Sequence, residues 1–309
     1  MKEIGTVKIH CVSEALSIIT HMMGVKGNEA LINRENILHD GCIKSVPVLS
    51  GNALRHKMIR EPGALHLVDA LGLRGQLTID QANFLFTGGS LSESSVTDNL
   101  KRIADMQSLF PLLRLLGGSL RNQVIGGSLF VLRGTIICEE TRSIVQSSLP
   151  EGYLLPEEML RSCEEFIRPY QYTRGSAEKR PDSAELIKEH DAPIDSNLMI
   201  YAGESVIPGA IFYHGFVCYN VSRLEIGALL HAFESWQNLG GVVGGYGRIG
   251  HGKLKTTLII EPVIDFFGND IDIEKSIEDY KDHVKTNASA CVIWLQDALG
   301  DRKEKAKKI

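Results

Sequence analysis

Several things are missing from this 309-residue chain, and each absence removes a class of protein. No two of its six cysteines (Cys11, Cys42, Cys138, Cys163, Cys218, Cys291) form a Cys-x-x-Cys pair. That excludes the usual zinc knuckles and dithiol redox motifs, and the wide spacing does not suit a small disulfide-stapled fold. No apolar run approaches the ~18 residues that a membrane-spanning helix needs. The opening Met1-Lys2-Glu3-Ile4-Gly5 lacks the basic-then-apolar order of a signal peptide, so a cytoplasmic location without membrane contact is expected. There is no Gly-x-Ser-x-Gly elbow and no His-Glu-x-x-His, and the ten histidines show no paired ligand spacing. Neither a metal nor a cofactor is expected. Bulk basicity is lacking too: 33 Lys and Arg face 38 Asp and Glu, a net charge of −5.

What is present begins with the distribution of that charge. Glu139 to Glu165 and Asp265 to Asp282 are densely acidic, while two other stretches hold cations and no carboxylate. One runs from Lys44 through Arg55, His56 and Lys57 to Arg60; the other is Gln237 to Ile260, with Arg248, His251, Lys253 and Lys255. Net charge governs solubility, whereas such local segregation selects the partner.

The second stretch contains the most informative segment, Gly240-Gly241-Val242-Val243-Gly244-Gly245-Tyr246-Gly247-Arg248-Ile249-Gly250-His251-Gly252-Lys253. Glycines let a backbone adopt positive φ and bring peptide N–H groups close to a ligand, and a nest of such groups binds anions. Gly245-x-Gly247-x-x-Gly250 matches a dinucleotide fingerprint, but here a helix precedes it and a strand follows, the reverse of what that motif needs. Gly247 to Lys253 matches G-x-x-x-x-G-K, but Leu254 stands where a P-loop has Ser or Thr. Amides, cations and Tyr246, which can stack on a base or simply pack, suit an extended phosphate polymer. The first stretch agrees: Ser50 is a credible N-cap, and Asn52, Arg55 and His56 fall in the first turns of a helix.

Periodicity predicts strands over Val7–Val12, Ser128–Cys138, Ala210–Val221 and Leu254–Ile260. It predicts helices from Ser50 to a stop at Pro62-Gly63, over Asp80–Phe86, over Asp98–Leu116 with a break at Pro111, over Ser222–Trp236 and over Ser276–Leu299. Gly24 to Ser45 reads as a loop. Pro169 to Ser196 is polar and aperiodic, either a protruding insertion or a disordered linker. The order implies an α+β fold, with helices on one face of a mainly antiparallel sheet and a split β-α-β core of the ferredoxin type.

Val46-Pro47-Val48-Leu49-Ser50-Gly51-Asn52-Ala53-Leu54-Arg55-His56 resembles the P-x-I-S-G-N-S-L-R-G element of the CRISPR-associated RAMP superfamily, in particular its Cas-seven-type backbone subunits. Ala53 and His56 stand where Ser and Gly are common. The glycine-rich segment resembles the superfamily's glycine-rich loop. Tyr172-Thr173-Arg174, followed by Glu204-x-Val206-Ile207-Pro208-Gly209-Ala210-x-Phe212-Tyr213, resembles its thumb insertion and returning strand.

The resemblance implies a single RAMP-type domain with an RRM-like palm (about 1–63, 128–168 and 197–309), a helical finger insertion (64–127) and a thumb (169–196). It also implies copies stacked in a filament along a crRNA, other effector subunits as partners, and a target nucleic acid, DNA in preference to RNA. The RNA-gripping residues would be Arg34, Ser50, Gly51, Asn52, Arg55, His56, Lys57, Arg60, Arg174, Gly244, Gly245, Tyr246, Gly247, Arg248, Gly250, His251, Gly252 and Lys253. Some members, in type III complexes, cut target RNA with a loop aspartate ahead of the first helix. Asp40 or Glu35 would serve here, although Arg34 ahead of the Gly41 turn resembles the non-cleaving type I and type IV backbones.

Overall fold

The computed structural model describes residues 5–26, 29–89, 100–120, 123–155, 160–173, 200–261 and 272–299. Arg174 and the rest of residues 174–196 of the expected thumb lie outside them, as do the basic C-terminal residues 302–309, whereas Pro169 to Thr173 fall in a strand and not in an aperiodic insertion.

The first strand, β1 (Thr6–Ala15), alternates as a half-buried strand should. Val7, Ile9, Cys11, Ser13 and Ala15 are buried on one face, and Lys8 and Glu14 are exposed on the other. The next stretch is not the loop expected between Gly24 and Ser45. It forms β2 (Met22–Lys26), β3 (Glu29–Ile32), β4 (Arg34–His39) and β5 (Cys42–Leu49). Asp40 and Gly41, both at positive φ, close β4 onto β5 in a two-residue hairpin turn. The short polar strands carry weak alternation, and only the Asp-Gly pair marks them in sequence.

Ser50 caps the following helix as expected, accepting the Ala53 N–H at 3.2 Å. The helix starts as α1 (Gly51–Leu54), widens into a π segment (Arg55–Arg60) and continues as α2 (Glu61–Ala70). Pro62-Gly63 therefore does not stop it, and the expected boundary at residue 63 falls within a helix. The reason lies one turn earlier. Glu61 N–H bonds to His56 O, five residues back, and this wider turn gives room for a proline that has no N–H to offer. Gly51 is required by proximity: a Cβ there would lie 2.8 Å from the Val131 carbonyl.

The helical insertion holds α3 (Ile79–Thr87), α4 (Leu100–Leu109) and α5 (Pro111–Leu116), the last two separated at Phe110. Short strands β6 (Gly118–Leu120) and β7 (Gln123–Ile125) precede β8 (Leu129–Ile136) and α6 (Arg142–Ser148). Then come β9 (Ile167–Thr173), β10 (Ile200–Val206), β11 (Ile211–Tyr219) and α7 (Arg223–Asn238), which opens on a Ser222/Glu225 capping box. β12 (Leu254–Ile260) follows. The expected C-terminal helix is two, α8 (Ile273–Thr286) and α9 (Ala288–Leu299), divided at Asn287.

The result is an α+β fold. A six-stranded antiparallel sheet runs β12-β1-β11-β8-β5-β4, and a second sheet runs β2-β3-β10-β9. Four consecutive strands of the first sheet, β12, β1, β11 and β8, lie in the spatial order 4-1-3-2 of their sequence. The helix from Ser50 and helix α7 complete a β-α-β-β-α-β connectivity. The main core joins Ile9, Cys11, Phe212 and Phe216 of the sheet to Leu54, Met58, Leu229 and Phe233 of these helices. A smaller cluster, Ile137, Val145, Leu149, Leu155 and Tyr213, includes α6. Among the described residues no helix is long and apolar enough to cross a membrane.

Of the two strand histidines only His10 has both ring nitrogens partnered; the Nδ1 of His214 is buried without a partner. His214 meets Ser13 Oγ at 2.7 Å, and His10 meets the Tyr213 hydroxyl at 2.9 Å and Glu261 at 3.0 Å.

Candidate nucleic-acid interface

The two cation-bearing segments, almost two hundred residues apart, converge at the end of β1. The link is the short stretch that leaves Ala15. On one side it is stapled to the glycine-rich loop: Leu16 N–H donates to Lys253 O, Gly252 N–H to Ile18 O and Gly245 N–H to Thr20 O, each at 2.8 Å. Lys253 N–H donates to Ser17 Oγ at 2.9 Å, and the Thr20 hydroxyl donates to Gly245 O at 3.0 Å. On the other side His21 Nε2 accepts the Ser50 N–H at 3.1 Å, at the mouth of the helix. Thr20 and His21 thus hold the loop and the helix start as one surface. Sequence reasoning missed both, because no motif surrounds them and only the topology places them between the two segments.

The loop explains its own glycines more fully than ligand approach alone. Tyr246 sits at φ 58°, Gly244 at 75° and Gly252 at 88°. A Cβ on Gly244 would come within 2.8 Å of Thr20 O, and one on Gly252 would strike Val243 O. Glycine here permits backbone to pack on backbone. Several amides are spent in doing so, including those of Gly245, Ile249, Gly250, His251 and Gly252. Among the described residues the amides of Gly244, Tyr246, Gly247 and Arg248 have no acceptor, so the anion nest narrows to that turn. Arg248 and Lys253 are exposed beside it and, among the described residues, have no carboxylate partner.

On the helix side, Ser50, Gly51 and Asn52 form the N-terminal turn, with Asn52 exposed. Arg55 is half-buried one turn on, its Nε without a partner and no carboxylate paired with it among the described residues. His56 and Lys57 instead face Glu61, at 3.8 and 2.7 Å. Burial lowers the His56 pKa against the opposing pull of Glu61.

Arg60 departs from the expected surface. It is 5% exposed and donates to Gly117 O at 2.9 Å. Burial, with Arg55 nearby, pushes its pKa down to about 10. It ties the helix to the insertion, and a count of charges along the sequence cannot distinguish such a cation from a surface one. Arg34 is likewise committed, to Glu204 at 2.8 Å and Glu164 at 3.1 Å. Glu35 pairs with Arg133, and Asp40 occupies the hairpin turn at the far end of β5 from Ser50. No group of three or more acidic, histidine or cysteine side chains able to hold a metal occurs among the described residues.

Tyr246 packs. Its ring stands edge-on to Tyr170 and Tyr172 at 6.1 and 6.0 Å, with His251 at 5.9 Å. Tyr172 in turn stacks on Tyr201 of β10 at 5.1 Å. Burial, reinforced by Tyr246, pushes the Tyr170 hydroxyl up to about 12. This aromatic cluster fastens the loop to the second sheet. Tyr170 and Tyr201 carried no sequence signal of it, since each looks like an ordinary strand tyrosine.

The fold resembles that of a chain in the Type IV-B CRISPR Complex. The two share 17% sequence identity over 82% of this chain and 90% of that one, with a TM-score of 0.54. At that identity the likeness is one of fold. No family model matches the chain, and no curated protein matches it.

Proposed function

We propose that this chain is a crRNA-binding backbone subunit of a CRISPR effector complex. Copies of it coat the guide, present it for target pairing and do not cut. The observation that carries this reading is the bracing of the glycine-rich loop and the Ser50 helix start by Thr20 and His21. That bracing brings free amides, Arg55, Arg248 and Lys253 to one end of the sheet. The groups favour phosphate without selecting a base, which suits a subunit that leaves sequence reading to guide–target pairing.

The 4-1-3-2 sheet with its two helices is read as the ferredoxin-type, RRM-like palm, α3 to α5 as the finger region, and β9 and β10 as the base of the thumb. Similarity of fold to a chain of a Type IV-B CRISPR Complex supports other effector subunits as partners. The absence of cutting is supported by the position of Asp40 in an exposed turn and by the ion pairing of Glu35. A nucleotide-binding enzyme is disfavoured because a single 3-10 turn and then β12, not a helix, follow the glycines.

The test is titration of the purified chain with single-stranded RNA of guide length and with ATP and NAD. Salt-dependent RNA binding that weakens in the Arg55→Ala, Arg248→Ala double variant supports the reading. Tight ATP or NAD binding with none to RNA overturns it.

A further inference from the structure

Three helices meet around a group of rings that the RNA reading leaves unused. His66 of α2, His231 of α7 and Tyr280 of α8 are mutual neighbours. Their ring centroids lie 4.1 Å apart for the two histidines, and 5.8 and 5.7 Å from His66 and His231 to Tyr280. Each ring carries a buried polar atom with no hydrogen-bond partner among the described residues: His66 Nε2, His231 Nδ1 and the Tyr280 hydroxyl. Tyr280 as a whole is only 1% exposed. Buried polar groups are normally paired, so three orphans on adjoining rings point to one shared guest.

The helices hold these rings rigidly. Gly227 of α7 lies so close to the Ser276 carbonyl of α8 that a Cβ would overlap it, and His231 and Tyr280 follow one turn later on their helices. Gly63 of α2 stands one turn before His66. A Cβ there would lie 3.4 Å from that of Ala232, the residue after His231. Burial, with the exposed Lys281 nearby, lowers the pKa of both imidazoles against the opposite pull of Asp69 on His66. The rings are therefore neutral, the form that binds a metal. Both histidines are partly exposed, which leaves an ion a way in. Two fixed neutral imidazoles suit zinc, copper or nickel, whereas magnesium and calcium take oxygen ligands.

We propose that His66 and His231 bind one divalent transition-metal ion of the zinc class, with the Tyr280 hydroxyl holding a water on it. The ion would clamp α2, which continues the helix from Ser50, to α7 and α8. Its role is structural and independent of RNA binding. The two histidines stand far apart in the sequence, so no local ligand spacing announces them.

The test is zinc titration of the untagged, chelator-treated chain by calorimetry, with magnesium as the control. It is run in a Cys42→Ser background, because Cys42 is the exposed cysteine and a competing ligand. The expected result is one saturable zinc ion per chain, a melting temperature that rises with zinc, and no response to magnesium. His66→Phe and His231→Phe retain a ring and should each abolish the binding, with circular dichroism as the check of fold. Tyr280→Phe should weaken it by about 10- to 100-fold, the usual scale for a group that supports a ligand.

Cobalt absorption in the unsubstituted chain gives a readout that needs no variant. Bands of nitrogen and oxygen ligation support the site, and a thiolate charge-transfer band overturns it. Zinc binding that survives both histidine variants would also overturn it. So would a chain that takes up no zinc, since the three orphaned atoms would then share only a water.

Discussion

His21 Nε2 accepts the backbone N–H of Ser50 at 3.1 Å, so a side chain directly ahead of β2 satisfies the amide that opens the helix. The bond needs an unprotonated Nε2, and burial lowers the His21 pKa in that direction. Its neighbour Thr20 holds Gly245. The two residues set where the loop lies relative to the helix, and the proposed RNA contact depends on that placement.

His21→Ala removes the acceptor and is expected to weaken RNA binding by about 3- to 10-fold, the scale of one lost hydrogen bond. His21→Gln retains an acceptor and should recover most of the loss. Fluorescence anisotropy at pH 7.5 measures both. Equal defects in the two variants would show that the hydrogen bond is not what matters.

Arg55→Ala, Arg248→Ala and Lys253→Ala should each lower the slope of log affinity against log salt by about 0.7 on single-stranded RNA. Arg60→Ala should leave that slope unchanged. It strips the buried Gly117 carbonyl of its donor and should cost about 1–3 kcal/mol of stability. Denaturant titration and salt-dependent binding on the same four variants separate the two kinds of arginine.

Acid should destabilise the fold before any carboxylate titrates. Burial pushes His214 down to about 3, and burial with His66 and Lys281 pushes His231 down to about 4, from an ordinary 6.5. The unfolded chain therefore takes up protons first, and the stabilisation is complete above about pH 6.5 and lost as pH falls below it. The His231 ring lies tilted against that of His66, centroids 4.1 Å apart, so His231→Phe retains a ring in place. The drop in urea midpoint between pH 7 and pH 5 should be smaller in that variant than in the wild type.

Gly252→Ala should disable the loop, because the new Cβ would strike Val243 O at a residue of φ 88°. Binding to RNA should fall at least as far as in Arg248→Ala, and because Gly252 is buried against Val243 the melting temperature should fall as well. A variant that binds normally would mean that the observed loop conformation is not the binding one.

Much of this was legible from residues alone. The Ser50 cap, the helix from Ser222, the break at Pro111 and the strand nature of 254–260 follow from local chemistry, which the tertiary structure leaves intact. Strands β2 to β5 were not, because a polar hairpin and short sheet-edge segments bury too little to impose a period. The helix through Pro62 depends on a π turn that no composition announces. At the candidate interface, the cations and glycines stood out as two separate segments. That Thr20 and His21 join them, and that Arg60 turns inward, are consequences of packing.

The central claim is that guide RNA is this chain's ligand, and it is tested most directly by expressing the chain with a CRISPR array and extracting what co-purifies. The account predicts a discrete RNA of crRNA length, protected from nuclease and lost from the Arg55→Ala, Arg248→Ala chain. Protein that elutes free of nucleic acid, or carries only heterogeneous fragments that the double variant retains, would contradict it.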